Sequence, residues 1–198
     1  MSIYVNGWSF WTPDADNPAA SPALDYVPPM LKRRLSQLTR MTIEVVHNVL
    51  PIAPDAGIVF VSANGESERQ LQIDRMLIEE GSIMPAPFSL SVFNASPAMA
   101  TIALGIKNGY NAIYPADNIF QEGLIYAASS ILSDDVESVI LVYADQLLPP
   151  EYQSIAGEAD NIVPYAAAYV ISSKKIQKSV NIDSLIKRLQ KEGTGGQA

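Results

Sequence analysis

The sequence predicts an α/β layered domain with a largely parallel mixed sheet. Three observations predict it. Strand-like and helix-like segments alternate, mainly as β-α-β-α-α-β-α-β-β-α. The segments "GIVFVSA", from Gly57, and "SVILVYAD", from Ser138, are nearly continuous apolar runs, as in strands buried on both faces. Between the strands, apolar residues recur at 3.6-like spacing, as in helices with one buried side.

The elements follow in order. Ile3 to Trp11 reads as a strand or hairpin around Gly7, ended by Thr12-Pro13. Residues 12–29 hold five prolines and read as an irregular loop. Pro28-Pro29 opens a helix, with Leu31, Leu35, Leu38, Thr42, Val45 and Val49 along one side and Pro51 at its end. After the "GIVFVSA" strand, "SERQLQIDRMLIEEG" reads as a helix with Leu71, Met76 and Leu77 on its apolar side and Gly81 as C-cap. "PAPFSLS" reads as extended. Ser96-Pro97 then has the look of an N-cap and N1 pair, and Asn108-Gly109 closes that helix.

Asn111 to Tyr114 is a short strand. Asn118 and Gln121 have capping-box spacing, and Phe120, Leu124, Ala127, Ala128 and Ile131 make the buried face of the next helix. "SVILVYAD" and "YAAAYVISS", from Tyr165, are strands. Ile182 to Gln190 reads as a polar amphipathic helix. Residues 1–192 are expected to form one domain, and 193–198 a flexible tail.

The totals exclude several functions. The chain has 198 residues, a formal net charge of −8 and no cysteine. A pI near 4.6 argues against general affinity for nucleic acid or anionic membrane. Without cysteine there is no disulfide, thiolate metal site or Cys nucleophile. No apolar run is long enough to span a bilayer, and no signal peptide is seen, so a cytoplasmic location is expected. A hydrophobic fraction of 48% against 17% charged residues leans toward a buried subunit interface. No cofactor is implied.

Few residues suggest chemistry. His47 is the only histidine and reads as a helix-surface or partly buried residue; alone it builds neither a zinc site nor a triad. "SANGESE" reads as an ordinary strand-to-helix turn, because it lacks the spacing of a phosphate loop. Lys32, Arg33 and Arg34 fall in the first turns of the first helix, where the dipole disfavours cations. They are either a solvated face or a contact for an acidic partner. Asp117 sits at the turn between a strand and a helix, as a capping carboxylate or a catalytic one.

Several stretches together resemble a family. "IYVNGWSFWTP", "PAPFSLSVFNASPAMATIALGIKNGYNAIYPAD", "ESVILVYADQ" and "VPYAAAYVISS" resemble the N-terminal half of a β-ketoacyl synthase. More narrowly, "PPMLKRRLSQLTRM", "FSLSVFNASPA" and the elbow followed by Phe120 look like the short β-ketoacyl-synthase-like proteins of aryl polyene and flexirubin pathways. Those are regarded as chain-length-factor-like partners of complete ketosynthases.

The resemblance implies a thiolase-like fold, N-terminal half only. Asp117 falls, without a gap from Asn94, at the place of the family's active Cys. The family's two histidines and lysine belong to a second half that has no counterpart here. Acyl transfer to a carboxylate would give a mixed anhydride, so the resemblance implies a subunit without condensation activity of its own. It implies heterodimerisation with a complete ketosynthase through the strand entering the elbow. The acyl-tunnel and interface candidates are then Pro87, Phe88, Val92, Phe93, Asn94, Asn111, Ile113, Tyr114, Asp117 and Phe120. Lys32, Arg33 and Arg34 are candidates for contact with an acyl carrier protein. The alternative is a small stand-alone acyltransferase or thioesterase-like enzyme using Asp117 as base.

Overall fold

The structure is a computed structural model that describes residues 2–116, 118–133, 136–153, 163–176 and 179–181. Asp117, the helix expected over residues 182–190 and the tail 193–198 lie outside the described residues.

Among the described residues six strands form one sheet: β1 (Tyr4–Trp11), β2 (Gly57–Val61), β3 (Tyr110–Ile113), β4 (Ser138–Asp145), β5 (Tyr165–Ser172) and β6 (Val180–Asn181). Their order is β3-β2-β4-β5-β1-β6. β3, β2 and β4 run parallel, while β5 is antiparallel to both β4 and β1. β1 is one strand rather than a hairpin. The pairing shifts between Val5 and Gly7, and a Cβ at Gly7 would collide with the Ile52 side chain.

Seven helices are described: α1 (Pro29–Lys32), α2 (Gln37–Val49), α3 (Ser67–Glu80), α4 (Pro85–Phe88), α5 (Ala95–Leu104), α6 (Ile119–Ser133) and α7 (Pro150–Gln153). α2 and α5 cover one face of the sheet, where Leu38, Met41, Val45, Val46 and Val49 meet Ile58, Phe60, Ile140 and Val142. α6 covers part of the other face, where Leu124, Ala127 and Ile131 meet Val59, Val61, Val139 and Leu141. β2 and β4 thus lie between two apolar layers, which is why they read as unbroken apolar runs.

The structure corrects several expectations, each for a local reason. The first long helix is two. Ser36 interrupts it, its Oγ accepting from the Thr39 N–H at 3.0 Å as the N-cap of α2. Lys32 therefore lies in the last turn of α1 and Arg33 caps it, where a helix favours cations rather than opposing them. α3 buries only Ile73, and Leu77 is 52% exposed rather than on a buried side.

The stretch expected to be extended instead forms α4, which Pro85 can open because its first-turn N–H would be unpaired anyway. α5 begins one residue before Ser96, with Asn94 as N-cap and Pro97 still inside the first turn. Gly105 ends it in the left-handed region at φ 68°, before Asn108-Gly109 is reached. Asn118 has φ 48°, not the extended backbone of an N-cap, so no capping box opens α6.

Gly123 shows how tightly α6 is seated. A Cβ there would lie 2.7 Å from Tyr143 Oη and 2.8 Å from Val61 Cγ2. Gly123→Ala is expected to destabilise the chain by about 1–3 kcal/mol through overpacking. Urea denaturation at equilibrium measures it.

Candidate functional site

The site lies around the edge strand β3 and the carboxyl ends of β2 and β4. Among the described residues β3 pairs with β2 alone. Gly109 accepts from the Ile58 N–H and Ile113 from the Ser62 N–H. In a parallel ladder alternate residues face one neighbour, so Tyr110 and Ala112 turn their N–H and C=O groups away from the sheet. This is a bare backbone edge.

Apolar side chains flank it. Phe93, 71% exposed, packs its ring 4.8 Å from that of Tyr114, whose hydroxyl donates to the Phe93 carbonyl. Asn94 donates from Nδ2 to Tyr110 Oη at 2.9 Å. These contacts tie the stretch before α5 to the two ends of β3. Ile102 of α5, the helix packed on β3, is 66% exposed. Phe120 lies on the same side of α6 as Leu124 and Ala127 but is 43% exposed, stacked 5.2 Å from Tyr143. It sits at the end of the helix, past the edge of the core, so it is not buried as expected. Its carbonyl accepts from Tyr143 Oη at 2.5 Å.

At the carboxyl ends of β2 and β4 lie two buried carboxylates. Asp145 accepts from Ser62 Oγ at 2.6 Å and from the N–H groups of Ala63 and Asn64 at 3.0 and 2.8 Å. The turn after β2 thus has the anion-binding geometry of a phosphate loop, but an internal carboxylate fills it. Burial raises the Asp145 carboxyl above its ordinary value of 3.8, and the Ser62 and backbone hydrogen bonds oppose that rise. Burial and the nearby Asp145 charge push Tyr165 up to about 12. Tyr114 is raised too, first by burial and then by the Glu66 and Asp145 charges.

Glu66 is the second hub. Its Oε1 accepts from Ser36, Thr39 and Ser96 at 2.7, 2.9 and 2.8 Å, while Oε2 faces Arg69 Nε at 3.4 Å. It pins the starts of α2, α3 and α5 together. Both carboxylates are 3% exposed or less, and Asp145 and Glu66 Oε1 are held by several donors each, which suits a structural clamp rather than proton transfer to a substrate.

Other candidates are dispersed. Pro87 lines a groove with Ile73, Met76 and Arg69, and Phe88, 50% exposed, ends α4. Val92 is half-buried; Asn111 is exposed and Ile113 packs against the α6 core. Lys32 is not a free cation: Nζ donates to the Ala23 carbonyl at 2.8 Å and pairs with Asp25. Arg33 and Arg34 are exposed. His47 is exposed on α2, its ring stacked 3.8 Å from Tyr26. A groove of about 520 Å³ lies at the opposite end of the strands, by Gly57, Ser138 and the Lys174–Glu137 ion pair. Among the described residues no cluster of His, Cys, Asp or Glu could hold a metal ion, and no helix is long and apolar enough to cross a membrane.

The family model described as the N-terminal domain of β-ketoacyl synthase matches residues 8–197. The chain belongs to this family. No curated protein matches it. Solved structures agree on the fold, which is thiolase-like. One is a ketosynthase (ApeO) in complex with its chain length factor (ApeC) from Xenorhabdus doucetiae, with TM-score 0.73 and 24% identity over 88% of this chain and 80% of that one. A second is the ishigamide ketosynthase/chain length factor, with TM-score 0.71 and 11% identity over 90% of this chain and 64% of that one. A third is a type II polyketide synthase acyl-carrier protein in complex with its ketosynthase bound to the hexaketide, with TM-score 0.65 and 14% identity over 87% and 64%. The chain spans most of the first matched chain and less than two thirds of the other two.

Sequence reasoning missed the roles of Asp145, Glu66 and Ala112. Asp145 left a signal: a carboxylate ending an apolar strand must find donors. The outward backbone of Ala112 left none, because it depends on register.

Proposed function

We propose that the chain is a non-catalytic, chain-length-factor-like subunit that pairs with a complete β-ketoacyl-acyl-carrier-protein synthase and shapes its acyl tunnel. The observation that carries this reading is the edge of β3, bare among the described residues and flanked by exposed Phe93, Ile102 and Phe120; by resemblance, Asp117 takes the nucleophile's place in the turn that follows. Pairing such an edge across a dimer satisfies its backbone groups and buries its apolar collar. The likeness to structures described as ketosynthase and chain length factor complexes supports the same reading.

The tunnel mechanism is steric. Each added CH₂ of a growing chain gains about 0.8 kcal/mol on burial until it meets a wall. Phe93 lies beside β3 and Phe88 on α4, and both project side chains that a partner's pocket could meet. Phe93→Ala or Phe88→Ala is expected to lengthen the acyl product made with the partner, read by mass spectrometry; unchanged spectra from both remove the ruler role alone. Of the basic cluster, Arg33 and Arg34 remain for contact with an acyl carrier protein. By resemblance the pathway is of the aryl polyene or flexirubin type.

Co-expression with a ketosynthase encoded beside it, followed by size-exclusion chromatography, tests the pairing. Co-elution at micromolar concentration is expected, and separate elution would count against it. Thioester hydrolysis by the purified chain, lost in Asp117→Ala, would instead favour a stand-alone enzyme.

A further inference from the structure

Gln146 is a buried carboxamide that the fold uses at one end only. It follows β4 directly and is 3% exposed. Its Oε1 accepts from the Leu38 N–H at 3.4 Å, in the first turn of α2, where a backbone donor has no partner within the helix. That contact fixes the orientation of the amide: oxygen toward α2, nitrogen away from it. Nε2 has no hydrogen-bond partner among the described residues. A buried donor of this kind calls for an acceptor.

The space beside it is large. Two grooves, of about 340 and 470 Å³, share Gln37, Glu68, Gln72 and Gln146 as walls. One continues to Met76 and Pro87, the other to Leu148 and Pro150. Each far exceeds one water, whose share of liquid volume is about 30 Å³. Apolar walls with a few convergent polar groups are the usual make-up of a ligand site.

The same walls set the charge and the chemistry of an occupant. Arg69 spends Nε on Glu66 and donates from Nη2 to the Arg34 carbonyl at 2.6 Å, while Arg75 is paired with Glu151. Glu66 and Glu68 offset the positive ends of α2 and α3. Both arginines are thus neutralised within the chain, which favours an uncharged acceptor over an anion. Gln72 is exposed on the shared wall and brings a second carboxamide, whose oxygen can accept from an N–H. A secondary amide offers both halves: a carbonyl for Gln146 and an N–H for Gln72.

We propose that this groove binds an uncharged, extended, peptide-like chain, with an amide carbonyl accepting from Gln146 Nε2 and apolar ends lying toward Met76 and Pro87 on one side and Leu148 and Pro150 on the other. The proposal does not depend on the functional reading above.

Titration of the full ¹⁵N-labelled chain with N-acetylleucine methylamide tests it by NMR. The Gln146 side-chain NH₂ resonance, identified by its loss in Gln146→Glu, should move saturably at millimolar probe. No saturable shift would mean that water alone meets Nε2, and would overturn the proposal. Gln146→Glu keeps an acceptor for the Leu38 N–H and removes the donor, so the Kd should rise about tenfold or more. Met76→Trp, at a half-buried position on the groove wall, should block binding with Gln146 intact, and it decides the matter if Gln146→Glu fails to fold. Unchanged binding in Met76→Trp would place the probe elsewhere and overturn the site. N-acetylleucine, the anionic counterpart, should bind more weakly; equal or tighter binding would overturn the uncharged class.

Discussion

Ala112→Pro should abolish co-elution with the ketosynthase while leaving the chain folded. The ladder to β2 uses Gly109 and Ile113, so the Ala112 N–H faces outward and its loss removes no bond within the chain. Proline is tolerated on an edge strand with that orientation. In a complex that pairs through β3, the same change deletes a donor at the centre of the shared ladder and sets a ring against the partner's backbone. A loss of about 2 kcal/mol or more, roughly thirtyfold in Kd, is expected. Circular dichroism checks the fold, and calorimetry or chromatography checks the complex. A variant that binds normally would move the interface away from β3.

Asp145→Ala should be the most damaging single change to stability. It strands the buried Ser62 hydroxyl and the half-buried Ala63 and Asn64 N–H groups. With about 1–3 kcal/mol for a buried donor left unpaired, less for the two half-buried ones, and partial relief by rotation of Ser62, a total of about 2–4 kcal/mol is expected. Asp145→Asn keeps one acceptor and should cost less.

The pH dependence separates these effects. Because burial raises the folded-state pKa of Asp145 above 3.8, ionisation costs more in the folded chain than in the unfolded one. The residue's titration-linked contribution is complete below 3.8 and falls as pH rises through the folded value. The stability gap between the wild type and Asp145→Asn should be widest in acid and narrow as pH rises. Urea denaturation across that window measures it. A gap that widens with pH would mean that the surrounding donors outweigh burial.

Periodicity in the sequence determined that β2 and β4 are central strands and that α2 and α6 are packed helices. Their apolar pattern is a local property that burial imposes on each segment separately. The resemblance in the elbow region implies, from residue order alone, that Asp117 falls at the nucleophile's position, and that residue lies outside the described ones. Tertiary structure alone decided which side chains meet. The left-handed Asn118, the start of α5 at Ala95 and the division of the first helix at Ser36 are backbone features of the folded chain. Ser36 and Ser96 are both drawn to Glu66, from segments 30 residues away on either side. Asp145 and Ser62, 83 residues apart, meet because β2 and β4 are neighbours. The outward face of Ala112 is likewise a matter of register, which hydrogen bonding between strands sets and no single strand encodes.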